Sequence, residues 1–385
     1  LLSACGPSRL HGVFTFTLHS FHFVMSSFST LSDLGWDAGH AQVFLPYTEL
    51  GLQPARVVCE HRQACEISFG AEPIPATCTG RMLHEAGTRA DLPVVGDWVA
   101  VCLRPGEARA DIHAVLPRRT KFARRAAGSA CEEQVIATNL DTVFLVTALD
   151  QNYNLRRIER YLTLARESGA QPVIVLNKAD LHPAPDSMQN EVAALAAGAP
   201  VVALSATLDD CIPILGPWLK PHTTVALLGS SGVGKSTLIN RLLGSDRQDT
   251  GDVSVAVGKG RHTTTRRELF ATADGVLVID TPGMRELQLW EVDATAVQDT
   301  FADITALAAQ CRFGNCAHAS EPGCAVQAAL ENGELEPARW QSYQKLLREQ
   351  AYAARQADPK LARAHRAAWR KVHLTNRARD RREED

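Results

Sequence analysis

Residues 229–236 read Gly229-Ser230-Ser231-Gly232-Val233-Gly234-Lys235-Ser236, a GxxxxGK[ST] pattern between the apolar run 224–228 and a helix-forming segment that opens Thr237-Leu238-Ile239-Asn240. Small residues there let backbone N–H groups wrap phosphate oxygens at a helix amino terminus, where the helix dipole favours an anion. Lys235 would place a cation between the outer phosphates and Ser236 a hydroxyl on Mg²⁺, with Thr237 completing the phosphate side.

A phosphate loop does not choose a base, but Asn177-Lys178-Ala179-Asp180 can. It follows the apolar run 173–176, at the strand end where open α/β sheets bind ligands. Asp180 can accept from the N1–H and exocyclic amino group of guanine, whereas adenine has no N1–H. The wrong base would leave a carboxylate unpaired. After another helical stretch comes Val201-Val202-Ala203-Leu204-Ser205-Ala206, and Ser205 and Ala206 could present backbone N–H groups to guanine O6.

Asp280-Thr281-Pro282-Gly283 again ends an apolar strand. Asp280 can hold Mg²⁺ through water, and the Gly283 N–H can sense a γ-phosphate. Between the phosphate loop and this motif lies Gly258-Lys259-Gly260-Arg261-His262-Thr263-Thr264-Thr265. Thr264 is taken as the threonine that completes the Mg²⁺ shell, with the choice among the three open. Where many GTP hydrolases carry a water-orienting glutamine after this glycine, the chain has Met284, which offers no such hydrogen bond. Unaided hydrolysis should be slow, and His262 is the candidate for orienting the water.

Farther along, Cys311, Cys316, His318 and Cys324 fall within 14 residues. Three thiolates and one imidazole suit tetrahedral structural Zn²⁺ and leave no position free for catalysis. Buried cysteines without a metal are the alternative.

The motifs stand in an unusual order. GTP hydrolases ordinarily run phosphate loop, switch threonine, DxxG, NKxD and SA, whereas here 177–180 and 205–206 precede 229–236 and 280–283. The nucleotide domain is circularly permuted, which preserves a site if the cut falls at a surface loop. The segment after Gly283 leads directly into the carboxyl-terminal region, so nucleotide state could be coupled to it.

The elements that must carry these residues follow from periodicity. Strand-like runs at 55–60, 64–69, 76–84, 96–103 and 111–116 suggest a five-stranded barrel of the oligonucleotide-binding (OB) type, with another small β domain as the alternative. Strands at 142–149, 172–176, 201–204, 224–228 and 275–279 alternate with helices at 155–168 and 191–197, the signature of a parallel sheet. Helical patterns occupy 294–309 and the region from Pro337 onward. The boundaries expected are 1–43 for an unstructured leader, with Met25 a candidate start, 44–126 for the barrel, 127–292 for the permuted nucleotide domain and 293–385 for a zinc-binding helical domain with a basic tail.

Composition excludes some classes of function. A formal net charge of -3 predicts no general attraction to nucleic acid or anionic membrane. Local excesses do exist: Arg118, Arg119, Lys121, Arg124 and Arg125 beside the barrel could meet phosphates, and residues 338–385 carry 13 Lys/Arg against 6 Asp/Glu. The apolar stretch 13–25 is too interrupted to span a bilayer and lacks a convincing cleavage site. Ten cysteines, mostly scattered, favour a reducing compartment and a metal over a disulfide framework.

Barrel, permuted nucleotide domain and Cys-x4-Cys-x-His-x5-Cys together resemble the ribosome small-subunit-dependent GTPase A family (RsgA/YjeQ/YloQ), over residues from about 34 to 372. The resemblance implies a cytoplasmic, monomeric bacterial GTPase that binds the small ribosomal subunit and its rRNA, assists late maturation, and hydrolyses GTP slowly until the subunit stimulates it. A nucleotide-switched RNA-binding regulator without productive hydrolysis is the competing reading. An ATP-dependent kinase is disfavoured by Asp180.

Overall fold

The computed structural model describes residues 30–61, 64–125, 133–208, 211–244, 267–280, 294–357 and Arg363. A 3₁₀ turn at Ser32–Leu34 leads to helix α1 (Ala38–Thr48), which starts where Asp37 accepts the His40 N–H. The expectation of an unstructured leader through residue 43 therefore fails for residues 30–43. Leu34 and Phe44 are buried, Trp36 packs edge-on against Trp98, and Asp37 takes two hydrogen bonds from Arg119. Burying these large apolar side chains on the barrel is what orders the segment.

Strands β1 (Gln53–Glu60), β2 (Cys65–Ser68), β3 (Ile74–Cys78), β4 (Trp98–Leu103) and β5 (Ala110–Val115) close in the order β1-β2-β3-β5-β4-β1, with β3 and β5 parallel. Closure leaves no barrel edge unpaired, and Val57, Ile67, Val99, Val101 and Ile112 fill the interior. The strand expected at 76–84 ends at Cys78. Thr79 there accepts the Met82 N–H and caps α2 (Gly80–Glu85).

The next pair, β6 (Lys121–Arg125) with β7 (Glu133–Thr138), is a hairpin absent from the sequence reading. It also absorbs much of the cation run expected to face phosphates. Arg118 forms a two-pronged ion pair with the buried Asp97 and donates to Ala90 O and Leu92 O. Arg119 is held by Asp37, Lys121 by Glu133 at 2.8 Å, and Arg124 by Gln134 at 3.0 Å. Arg118 is thus a structural ion-pair partner, half-buried against the buried Asp97, which a phosphate would have to displace.

Beyond it the chain builds β8 (Thr142–Ala148), α3 (Leu155–Glu167), β9 (Gln171–Asn177), α4 (Pro185–Leu195), β10 (Val201–Ala203), α5 (Cys211–Leu215), β11 (Thr224–Leu228), α6 (Lys235–Leu243), β12 (Arg267–Ala271) and β13 (Leu277–Asp280). The strands lie in the order β10-β9-β8-β11-β13-β12, all parallel except β12. The expected helix at 191–197 begins earlier, because Pro185 is well placed in a first helical turn that lacks N–H partners. Two residues of β1 pair with β12, Cys59 with Glu268 and Glu60 with Arg267, so barrel and sheet are continuous.

The remaining elements are α7 (Ala294–Thr300), α8 (Ala302–Ala308), α9 (Ala325–Glu331) and α10 (Pro337–Ala357). The helical patterns expected over 294–309 form two helices parted at Phe301, whose ring is buried beneath the Arg339 guanidinium. Arg339 pairs with Glu159 of α3 at 2.7 Å and with both oxygens of Asp303. Among the described residues, no helix is long and apolar enough to cross a membrane. Removing one member of a buried ion pair leaves the other charge uncompensated. Arg156 would remain beside Glu159 after Arg339→Ala, however, so the loss should be about 1.5–3 kcal/mol of stability, measured by denaturant unfolding, whereas replacing the exposed Arg81 should leave the unfolding midpoint nearly unchanged.

Candidate functional site

Because β8, β9, β10, β11 and β13 are parallel, their carboxyl ends share one edge of the sheet. The sequence motifs arrive at that edge from different parts of the chain. Asn177 ends β9, Ser205 lies two residues past β10, Gly229 follows β11 directly, and Asp280 ends β13. Chain order reverses around β8, the kind of switch point at which such sheets open a crevice.

Backbone proximity explains two glycines of the phosphate loop. A Cβ on Gly229 would lie 2.2 Å from Val146 O of β8, and one on Gly234 would lie 2.2 Å from Asn177 Nδ2. Gly234 also has φ +93°, a region that side chains resist. Val233 is buried, while Ser231 and Gly232 are exposed and Ser236 and Thr237 half-buried at the start of α6. The Lys235 ammonium donates to Gly229 O at 2.7 Å and Ser230 O at 2.6 Å, so it lies over the loop.

Asn177 joins this loop to the base-reading segments. Its carboxamide is buried, donates to Val233 O at 2.8 Å and accepts the Ala206 N–H at 2.9 Å. That N–H, expected to face guanine O6, is here engaged by Asn177. Ser205 is buried, with its hydroxyl 3.1 Å from Thr207 Oγ1. Arg241 of α6 donates to Ala206 O and Thr207 O, which fixes the same turn from the phosphate-loop side. Lys178 adopts φ +59° and reaches Asp150 at 2.8 Å. Burial opposes ionisation of Asp150, yet Lys178 and the Asn152 N–H hold its carboxyl below the ordinary value. Asp180 stands exposed in the turn beyond β9, open to a base.

Sequence reasoning missed Arg157. From α3 it donates to Ser230 Oγ at 3.0 Å and to Asn152 O, bracing the phosphate loop from a helix that lies 73 residues earlier. No motif marks it, since one arginine on a helix surface is unremarkable in sequence. Asp280 is half-buried opposite Glu268 of β12. His262, Thr264 and Gly283 lie outside the described residues.

The cysteine cluster assembles as its spacing predicts. Cys311 Sγ lies 3.5 Å from His318 Nδ1 and 3.9 Å from Cys324 Sγ, and His318 Nδ1 lies 3.4 Å from Cys324 Sγ. With Cys316, all four donor atoms fall within 4.8 Å of one another. Ligands around a tetrahedral ion bound at about 2.3 Å by sulfur and about 2.0 Å by nitrogen are roughly 3.5–3.8 Å apart, so the set fits a metal. Glu321 shapes the supporting turn by accepting the N–H groups of Ala317, Ala319 and Ser320, which hold its carboxyl down at about 2. Trp340 packs edge-on against the His318 ring.

Known proteins share this arrangement. The RsgA GTPase family profile matches residues 115–290. The small ribosomal subunit biogenesis GTPase RsgA of Opitutus terrae is 61% identical over 360 residues, covering 91% of this chain and 98% of the relative. The protein of the same name from Syntrophotalea carbinolica is 43% identical, covering 85% and 92%. Among solved structures, YjeQ from Thermotoga maritima matches with TM-score 0.56 and 26% identity over 78% of this chain and 98% of that one. YloQ, described as a circularly permuted GTPase, shares the fold with TM-score 0.54 at 21% identity, covering 78% and 95%. Permuted strand order, phosphate loop and near-complete alignment agree, and the chain belongs to the RsgA GTPase family.

Proposed function

We propose that this GTPase binds the small ribosomal subunit and its rRNA, assists late maturation of the subunit, and hydrolyses GTP at a rate the subunit raises. The observation that carries the reading is the convergence of Asn177, Ser205, the phosphate loop and Asp280 on one sheet edge, in a chain whose relatives are named for small-subunit biogenesis. It acts in the cytoplasm as a monomer.

Each residue has a part in that reading. Gly229 to Gly234 wrap the phosphates with backbone N–H groups, and Lys235 moves from loop carbonyls to phosphate oxygens. Ser236, Asp280 and Thr264 hold Mg²⁺, which supplies charge neutralisation at the phosphates when bound. Asp180 reads the guanine edge, Lys178 flanks the base while tied to Asp150, and Ser205 and Ala206 line the O6 side. Gly283 senses the γ-phosphate, and His262 orients the attacking water when the subunit is bound. Cys311, Cys316, His318 and Cys324 hold one structural Zn²⁺, which stabilises the short helices where they have little core of their own. The RNA-facing charge comes from the carboxyl-terminal cations; Arg118 is excluded by its ion pair with Asp97.

Two outcomes test the proposal. Asp180→Asn should weaken GTP binding and improve binding of xanthosine triphosphate, which presents a carbonyl where guanine presents an amino group. Unchanged preference in paired affinity measurements removes Asp180 from the base site. Single-turnover hydrolysis should rise by orders of magnitude on adding small subunits, in line with the roughly 10³–10⁵ that a group acting in trans can contribute. His262→Ala should lose that stimulation while retaining GTP binding. Equal rates with and without subunits would contradict the stimulated reaction and leave the competing switch reading in its place.

A further inference from the structure

Three side chains at the end of the first barrel hairpin meet the demands of a metal site distinct from the Cys311 cluster. Cys59 and Glu66 are direct cross-strand partners on β1 and β2, so their side chains leave the same face of the hairpin. His61 lies one residue past the end of β1, and its ring meets both side chains on that face. A β-bulge between Val57 and Cys59 makes this possible. Without it, alternation would keep Cys59 on the side of Val57, inside the barrel.

The donor atoms lie at ligand spacing. His61 Nε2 stands 3.7 Å from Cys59 Sγ and 3.1 Å from Glu66 Oε1, and the three donors fall within 4.8 Å of one another. A tetrahedral ion bound at about 2.3 Å by thiolate and about 2.0–2.2 Å by imidazole and carboxylate sets them roughly 3.3–3.6 Å apart. The Cys311 cluster shows a similar spread, 3.4 to 3.9 Å. Cys59 is buried, while the side chains of His61 and Glu66 keep 30% and 42% of their surface exposed, so an ion has both a thiol anchor and a way in.

We propose that Cys59, His61 and Glu66 bind a second Zn²⁺, with water in the fourth position. A thiolate, an imidazole and a carboxylate form a borderline-soft set suited to zinc, whereas Mg²⁺ and Ca²⁺ take oxygen ligands and would not recruit Cys59. The site clamps β1 to β2 where the barrel joins the GTPase sheet. Cys59 is the register partner of Glu268 on β12, and Glu60, between two ligands, pairs with Arg267 at 2.8 Å. Zinc here therefore stiffens the strand end that leads out of residues 245–266 into the sheet.

Metal counting on the full-length protein tests this, with variants that separate the two clusters. The protein is saturated with Zn²⁺, desalted through a weak chelator that strips surface ions, and measured by inductively coupled plasma mass spectrometry. The parent should hold two zinc ions per chain, His61→Ala one, Cys316→Ser one, and the double variant none. Cobalt loaded into Cys316→Ser should show a thiolate-to-metal charge-transfer band that is lost when Cys59→Ser is added to that variant. Glu66→Gln, which can still hydrogen-bond His61, should release zinc to a competing chelator at least tenfold more readily. Circular dichroism checks that each variant is folded. Zinc content unchanged by His61→Ala, or a folded Cys316→Ser without zinc, overturns the proposal. Failure of the carboxyl-terminal site alone would appear differently, as equal content in the parent and Cys316→Ser.

Discussion

The nucleotide site hangs on the carboxamide of Asn177. In this permuted chain the turns at 177–180 and 205–206 come before the phosphate loop at 229–236, and contacts between side chain and backbone must bring them together. Beside Arg241, which reaches the outer carbonyls of the turn, a buried side chain spans the gap: the Asn177 N–H₂ group donates to Val233 O, 56 residues away, and its oxygen accepts the Ala206 N–H, 29 residues away. Only a side chain with both donor and acceptor can satisfy both, which neither Asp nor Ala does. Burial raises the stakes, since a lost bond leaves a backbone group without solvent. Gly234 lacks a side chain where one would strike Asn177, and Gly229 lies against Val146 O of the intervening strand. Loop geometry, strand packing and base turn thus converge on one contact.

Helix α3 extends that constraint outward. Arg157 braces the phosphate loop through Ser230, while Glu159, Arg160 and Arg166 reach Arg339, Glu349 and Thr300 in the carboxyl-terminal helices. Coupling between nucleotide and carboxyl-terminal region was expected to run through the segment after Gly283. That segment lies outside the described residues; the described contacts put α3 between the two as well, with the loop at one end and the buried Arg339 network along its side. The barrel grips the opposite margin of the sheet through β1 and β12. Both flanking regions therefore act on the nucleotide domain through packed elements with few degrees of freedom.

Motif chemistry was legible in the sequence because it depends on local order. A phosphate loop, a guanine-reading turn and a Cys3His spacing each fit within a few residues, and the strands that carry them are continuous apolar runs. What escaped depends on distant partners. The cations near residue 120 read as free to meet phosphates until Asp97, Asp37 and Glu133 were placed beside them. The segment 30–43 looked featureless because its anchor is Trp98, some 60 residues on. The break at Phe301 reflects burial under Arg339, which helix periodicity cannot encode. Arg157 and the bulge beside Cys59 belong to the same class, in which register and packing, not residue type, assign the role.

The central claim is that Asn177 holds the two halves of the permuted site together, and guanine nucleotide affinity of Asn177→Ala tests it most directly. Loss of two buried hydrogen bonds, each worth about 1–3 kcal/mol when its partner is left unsatisfied, predicts GDP binding weaker by roughly 100-fold or more in calorimetric titration of a still-folded protein. The Ala206 amide should also exchange with solvent faster, while that of Leu204, bonded to Leu176 O, keeps its protection. Affinity within threefold of the parent, with Ala206 exchange unchanged, would contradict the account.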